Sequence, residues 1–496
     1  YKRQEYKDTT KKIPQIAVEL GVATIVEGGV QRSGSRIRFN AQLIDAQTDE
    51  HLWAETYNRE LTAENLFDIQ AEIARAIAQA LQATLSPEEE ANIDRTLTSN
   101  LEAWESYQRA VRMRQTIGPQ AIAAGISEIN RALELDPEFA AAWSLKAILL
   151  LQQFWFYDTD PATRDAARDA IQRGRAIDPT LAELDLAEGY YYYWGFRDYE
   201  KALPLMQRAS DALPNDSRAH LARAYVLRRM GDWESTLTAL HRASELDPRR
   251  VTTFSDIGGT LTSLGRFDEA RLVFAKANEI DPDNPNSLWE SNVLVLQESG
   301  DINRYAYLSH LMLPPHPNAQ IDTWHSSLYI DDFDTAFKDV DQWQERFLES
   351  KDLRLTRPML TGLTHLYSGD AETARPLLHE SKQVLESLLE ANQDSFAITR
   401  SLCFITGGLG ELAEAKQYCN DALLAAPKDA FLAGEFKFDA AAGLALAGDA
   451  QGAVKLLKAM LDGDAGPTMY PVIYHPAFDG IREHAAYIDL LEQYGP

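Results

Sequence analysis

Residues Phe254–Pro282 read FSDIGGTLTSLGRFDEARLVFAKANEIDP, and this stretch decides the architecture. It divides into two helical segments around the turn LGRFDEA (264–270). Ala270, Phe274 and Ala277 fall at i, i+4 and i+7, one face of the second segment. Gly258 in the first segment leaves room for a close helix–helix approach. The stretch stops at Asp281–Pro282, where a proline cannot continue the helix. Working outward, the same ending recurs in ALELDP (to Pro137), RAIDP (Pro179), SDALP (Pro214), SELDP (Pro248) and LLAAP (Pro427). Pro214, Pro248 and Pro282 follow one another at 34 residues. A fixed period of that size is the sequence sign of stacked helical hairpins. Gly and Asp mark other turns, at Gly231, Gly369, Gly410 and Gly448.

This pattern resembles the tetratricopeptide repeat family over most of Leu101–Gly463, with about nine or ten units. It is clearest over Asp185–Pro282, Arg354–Glu390 and Ser395–Gly463. It weakens over Asn286–Asp352, where LPPHP (313–317) interrupts it and DDFDTAF (331–337) restores it. Alternating apolar residues are almost absent from the region, so no strands are expected there. The expected fold is mainly α: a right-handed solenoid over 101–463, preceded by a small α/β domain over 1–88 and a linker over 89–100. A capping segment over 464–496 would follow, with Ile481, Tyr487, Leu490 and Leu491 of a last amphipathic helix covering the open face of the final repeat.

The amino-terminal part reads differently. Ala23–Val30, Arg36–Ile44 and His51–Tyr57 read as three antiparallel strands, with turns at RSGS (32–35) and DAQTDE (45–50). Helices are expected over Thr9–Leu20 and from Asn65 to Leu85, the second with Leu66, Ile69, Ile73, Ile77 and Leu81 along one stripe. The motifs IAVELGVATIVEGGVQR, RIRFNAQLIDAQTDEHLWAETYNREL and NLFDIQAEIARAIAQAL resemble the α/β module that precedes tetratricopeptide arrays in bacterial signalling proteins, similar to the amino-terminal domain of TolB. That family begins with a strand and a helix ahead of the matched motifs, so the sheet is expected to keep an unpaired edge here. In relatives a winged-helix, cyclase or kinase domain often precedes the module.

The 496 residues are 45% hydrophobic and 25% charged, as in folded proteins, and too many for one compact domain. A net charge of −27 argues against a nucleic-acid partner, because phosphate contacts need a basic face. No apolar run reaches the ~20 residues of a membrane-spanning helix. Two cysteines cannot make a disulfide scaffold or a four-cysteine zinc site.

The tetratricopeptide register implies where side chains face. Counting from Pro179, it places Tyr190, Tyr193 and Trp194 of GYYYYWG (189–195) on the concave groove, and Tyr191 and Tyr192 in the packing layer. The same count adds Arg218, Tyr225, Arg228, Arg229 and Trp289 to the groove. Rings supply rigid contact area and guanidinium groups supply forked hydrogen bonds, so this set suits an acidic peptide or a terminal carboxylate. The competing reading is that some of these rings pack between repeats. Cys403 and Cys419 fall on facing positions of one unit. They are bonded in an oxidising compartment, or else are two small buried groups that stay reduced, the reading favoured here.

DPDNPN (281–286) lacks the glycine and the terminal Glu of a calcium loop and reads as a turn. His310 and His316 flank a proline break and make no zinc pair. There is no phosphate loop, nucleophile elbow or dinucleotide fingerprint, and neither cofactor nor metal is expected. The leading expectation is a non-enzymatic scaffold that binds a protein or peptide, of acidic character, in its groove. By resemblance it would be the sensory or docking part of a bacterial signalling or envelope protein, with a periplasmic lean. Two alternatives stand beside it. One is a self-associating ring or filament former that uses the solenoid and the open sheet edge. The other is the regulatory half of a cyclase or kinase with its catalytic domain upstream.

Overall fold

The computed structural model describes residues 10–83, 85, 89–90, 93–114, 118–157, 160–311, 319–343, 347–349, 354–391 and 396–496. The LPPHP break with His316, and parts of the expected linker, lie outside the described residues.

Three antiparallel strands, β1 (Thr24–Ser33), β2 (Arg36–Asp45) and β3 (His51–Glu60), form a sheet in the order β1-β2-β3. The first helix covers Ile13–Leu20, with a proline in its first turn, and is shorter than the expected Thr9–Leu20. The next, Ala63–Ala80, starts two residues earlier than expected because Thr62 caps it by accepting from the Asn65 amide. This helix packs on β3. Ile37, Ala41, Leu43 and Tyr57 are buried beneath it. Val26 and Val30 pair with Leu43 and Phe39 and share their face, yet stand 50% and 59% exposed, because the helix Ala63–Ala80 packs on β3 at the other edge of the sheet.

Helical hairpins then follow one another from Leu101–Met113 with Pro119–Leu135 to Ala433–Leu446 with Ala450–Leu461. The joint inside a hairpin shows why the sequence turns where it does. Gly231 takes a left-handed conformation (φ 79°) that ends Ser217–Met230, and Asp232 then caps Trp233–Leu246 by accepting from the Ser235 amide. In the unit before, Arg197 adopts the same left-handed conformation (φ 55°) without a glycine.

Over Asn286–Asp352, where the repeat signal fades, the hairpin pattern persists as Pro285–Ser299 with Ile302–Leu311 and Ala319–Tyr329 with Phe333–Asp341. The expectation that this region holds no strand is corrected. Phe347–Glu349 and Arg354–Thr356 pair antiparallel. Three residues a side is too short to carry an alternation signal.

Packing within the units follows the small residues. A methyl group on Gly258 would overlap the Phe274 ring, and Ala270, Phe274 and Ala277 are all buried. A methyl group on Gly189 would sit 2.8 Å from the end of Met206, a flexible chain that can move aside. Gly258→Ala is therefore expected to destabilise its hairpin by roughly 1–3 kcal/mol. Gly189→Ala should cost clearly less, as read by urea unfolding of the two variants. Cys403 and Cys419 are joined as a disulfide, which ties Phe396–Leu409 to Leu412–Ala425 and corrects the reduced reading favoured from the sequence.

The array does not stay open. Residues 427–432 and 465–478 lie back across earlier units. The Ala430 amide donates to the Arg229 carbonyl (2.8 Å), the Gly466 amide to the Ser263 carbonyl (2.9 Å) and the Thr468 amide to Gln297 Oε1 (2.7 Å). Tyr470 rests on Gly300, itself left-handed at φ 61°. His475 sits 5.9 Å from both His325 and Tyr329. Arg229, Ser263 and Gln297 all lie at or near the carboxyl ends of first helices of successive hairpins. The carboxyl-terminal part thus forms a strap along one edge of the concave side. Beyond it, Phe478, Ile481, Tyr487 and Leu490 pack in one cluster with Ala453 and Leu457 of the last hairpin. Ile481 belongs to a short 3-10 helix (Pro476–Ile481), with the final helix at Ala485–Tyr494. No helix among the described residues is long and apolar enough to cross a membrane.

Candidate partner-binding surface

The helix Ala182–Phe196 carries GYYYYWG and divides its rings in an unexpected way. Tyr190, Tyr193 and Trp194 are all buried. Tyr190 stacks on Trp194 at 4.0 Å between centroids, and Tyr193 packs against Trp155 (5.4 Å) and Tyr199 (5.7 Å). Tyr191 and Tyr192, expected in the packing layer, are half-buried and line a cleft of 890 Å³ with Arg168, Ile171, Lys201 and Lys428. The register argument assumed an open concave face. Over these rings the next unit and the strap cover that face, and this accounts for their burial, while Arg218 further along keeps its side chain 40% exposed.

Three of the anticipated residues converge on a loop of the chain itself. Asp429, with its side chain 1% exposed, accepts from Arg229 Nη1 (3.0 Å) and from the Tyr199 hydroxyl (3.0 Å) through one oxygen. Its other oxygen accepts from the Phe431 and Leu432 amides at 3.1 and 3.2 Å. Arg229 Nε donates to the Tyr193 hydroxyl (3.3 Å). The Phe431 ring lies under both guanidinium groups, 4.5 Å from Arg228 and 5.4 Å from Arg229. Burial opposes the Arg229 charge, yet Tyr193 and Asp429 beside it hold its pKa above the ordinary value. Burial and the Asp429 charge together push the Tyr199 phenol far up, so it stays a donor.

Arg218 and Tyr225 belong to a second group. Arg218 grips Asp216 through Nε (2.9 Å) and Nη2 (2.5 Å). The Tyr225 hydroxyl donates to Asp256 (2.8 Å), which Arg228 also approaches at 3.7 Å. Arg114 and Arg250 join this group electrostatically. Burial lowers the pKa of Arg114, and the charges of Arg218 and Arg250 lower it further. Neither Arg114 nor Arg250 makes an ion pair among the described residues, although the carboxylates of Glu183, Asp216 and Asp256 share the group's field. The phenols of Tyr107, Tyr190 and Tyr225 feel the same guanidinium groups and are kept protonated by burial.

Trp289 stands apart from both groups. Its indole donates to Asp322, which burial pushes up to about 7. Its neighbour Glu290 is pushed up to about 8, by burial and by the charges of Asp256 and Glu435. No group of His, Cys, Asp and Glu among the described residues could hold a metal ion.

Sequence reasoning missed Arg114, Arg250, Tyr199, Asp429 and Phe431. For the last two a signal existed. The turn after Pro248 needs two residues before the next helix begins at Val251, but after Pro427 the helix begins only at Ala433. The surplus residues hold an acid and an aromatic ring.

Residues 253–284 match the tetratricopeptide repeat family, the stretch that set the period. The chain carries tetratricopeptide repeats. Over 190 residues it is 36% identical to a Rhizobium meliloti (strain 1021) protein named "Putative adenylate cyclase 3". The match covers 38% of this chain and 31% of that relative, so the chain spans about a third of the relative's length. Among solved structures, a thermophilic tetratricopeptide protein of Thermus thermophilus is 20% identical, covering 39% of this chain and all of that one, with a TM-score of 0.34. A tetratricopeptide repeat protein of Parabacteroides merdae is 14% identical, covering 48% and 91%, with a TM-score of 0.35.

Proposed function

We propose that the chain is a non-catalytic scaffold whose concave face takes an acidic segment of a partner protein. A tetratricopeptide array supports the coarser statement, protein–protein interaction. The finer one is carried by the guanidinium groups of Arg114, Arg218 and Arg250, of which Arg114 and Arg250 make no ion pair among the described residues, flanked by Tyr107, Tyr190 and Tyr225. In a chain of net charge −27, unpaired positive charge at one inner surface is a costly arrangement unless an anion completes it. Forked donors beside phenols would hold carboxylates through charge-assisted hydrogen bonds. The likeness to part of a protein named as an adenylate cyclase favours a second reading, in which the scaffold regulates a signalling enzyme. In that reading the amino-terminal sheet would be the TolB-like module of such proteins.

The test is capture from a native lysate, with wild type set against Arg218→Ala/Arg250→Ala. A bound segment that loses two charged contacts, at ~1.5–3 kcal/mol each, should be retained at least tenfold less. Retention by wild type should also weaken as salt is raised. The same proteins held equally by both forms, with circular dichroism unchanged, would remove the concave face from consideration.

A further inference from the structure

The patch formed by Tyr193, Tyr199, Arg228 and Arg229 is already occupied, and its occupant shows what it reads. Asp429 supplies a carboxylate to Arg229 and Tyr199. Two residues later, Phe431 supplies a ring to the two guanidinium groups. Ala430 between them places its amide on the Arg229 carbonyl at 2.8 Å, and its side chain meets Gly231, where a larger residue would not fit as closely. The contact is that of a short peptide laid across the ends of helices: one backbone bond, one carboxylate and one ring.

We propose that residues 427–432 are a self-ligand, occupying a recognition patch whose specificity is an aspartate followed two residues later by an aromatic ring, and that an external segment with that Asp-x-aromatic pair competes for it. This deepens the reading of the concave face as a receptor for acidic segments and rests on it. Three observations favour exchange over a fixed clasp. The occupant is a loop between helices, not part of a helix. Ala430 and Phe431 are only half-buried, whereas the carboxylate between Arg229 and Tyr199 is fully so. The cleft lined by Tyr191, Tyr192 and Lys201 opens beside exposed Lys428 and gives an incoming segment a way in. An acidic competitor would also pair Arg229 again at once, so the exchange leaves no charge stranded.

The test uses the full chain and a labelled peptide of residues 426–432, APKDAFL, capped at both ends. In the chain Asp429→Ala/Phe431→Ala the patch is vacated, and the peptide should bind at least tenfold more tightly than to wild type. Replacing the peptide's Asp by Asn, or its Phe by Ala, should lose that gain, as should adding Arg229→Ala to the chain. If the vacated chain melts like wild type and binds the peptide no better, the inference is overturned. If that variant does not fold, wild type decides. Millimolar peptide should speed hydrogen exchange at the Ala430 amide, and unchanged exchange overturns the inference. Arg218 and Arg250 are untouched throughout. Peptide binding without a partner that depends on those two sinks the broader reading, and the converse sinks only the self-ligand.

Discussion

Asp429→Ala is expected to lower local stability by about 3–5 kcal/mol, the cost of leaving a buried charge without its partner. Arg229 is 12% exposed and would keep its charge with no other ion-pair partner among the described residues, while the Tyr199 hydroxyl and two loop amides would lose their acceptor. The size of the effect reflects that stranded charge and not the net worth of the contact. A strong loss on truncation is therefore compatible with a loop that exchanges against another acid. Asp429→Asn retains an acceptor for Tyr199 and should fall between wild type and alanine. Arg229→Ala/Asp429→Ala should cost less than the two single changes added together, because the double variant strands no charge. A repeat array need not unfold in one step, so global melting is a poor reader of this effect. Native-state hydrogen exchange at the Ala430 amide measures it directly. Equal protection in wild type and Asp429→Ala would mean that the loop is held by something other than the carboxylate.

How far the sequence could lead is visible at this same contact. Hairpins such as Ser217–Leu246 and Val251–Ile280 were legible because their determinants are local. They are a proline every 34 residues, a glycine at the turn, small residues where helices touch and, in the first of the two, aspartate caps. The strap was not legible, because a period reports what each unit does with its neighbour. It is silent on how a later part of the array meets an earlier one. Arg229 and Asp429 are 200 residues apart, and nothing in the helix of the one or the loop of the other announces its partner. The division of the GYYYYWG rings failed for the same reason. The register placed Tyr193 on the groove, but its burial is set by Arg229 and Tyr199. Asp429 meets Arg229 within the chain itself, a contact that neither the register nor the overall charge could place.

Removing the second tie, Cys403→Ser/Cys419→Ser, is expected to cost about 3 kcal/mol, since the bond closes a short loop in the unfolded chain. The two residues are 16 apart. What distinguishes this change is where its effect should travel. Both cysteines pack in one buried cluster with Ala440–Ala442, Leu457, Val472 and Phe478, the body from which the strap extends. A methyl group on Gly443 would overlap the Cys403 sulfur and lie 3.0 Å from that of Cys419, and one on Gly407 would overlap the Gly443 backbone. Helices Phe396–Leu409 and Ala433–Leu446 therefore meet at backbone distance around the disulfide, and the layer has no slack to absorb its loss. In a solenoid each unit leans chiefly on its neighbours. The cost should thus appear in the last two hairpins and reach the strap, speeding exchange at the Ala430 and Gly466 amides. Protection in Leu101–Ile177, far along the array, should stay as it was. If the loss spread evenly over the whole chain, the array would behave as one cooperative body, and the strap, by closing the units on themselves, would be the reason.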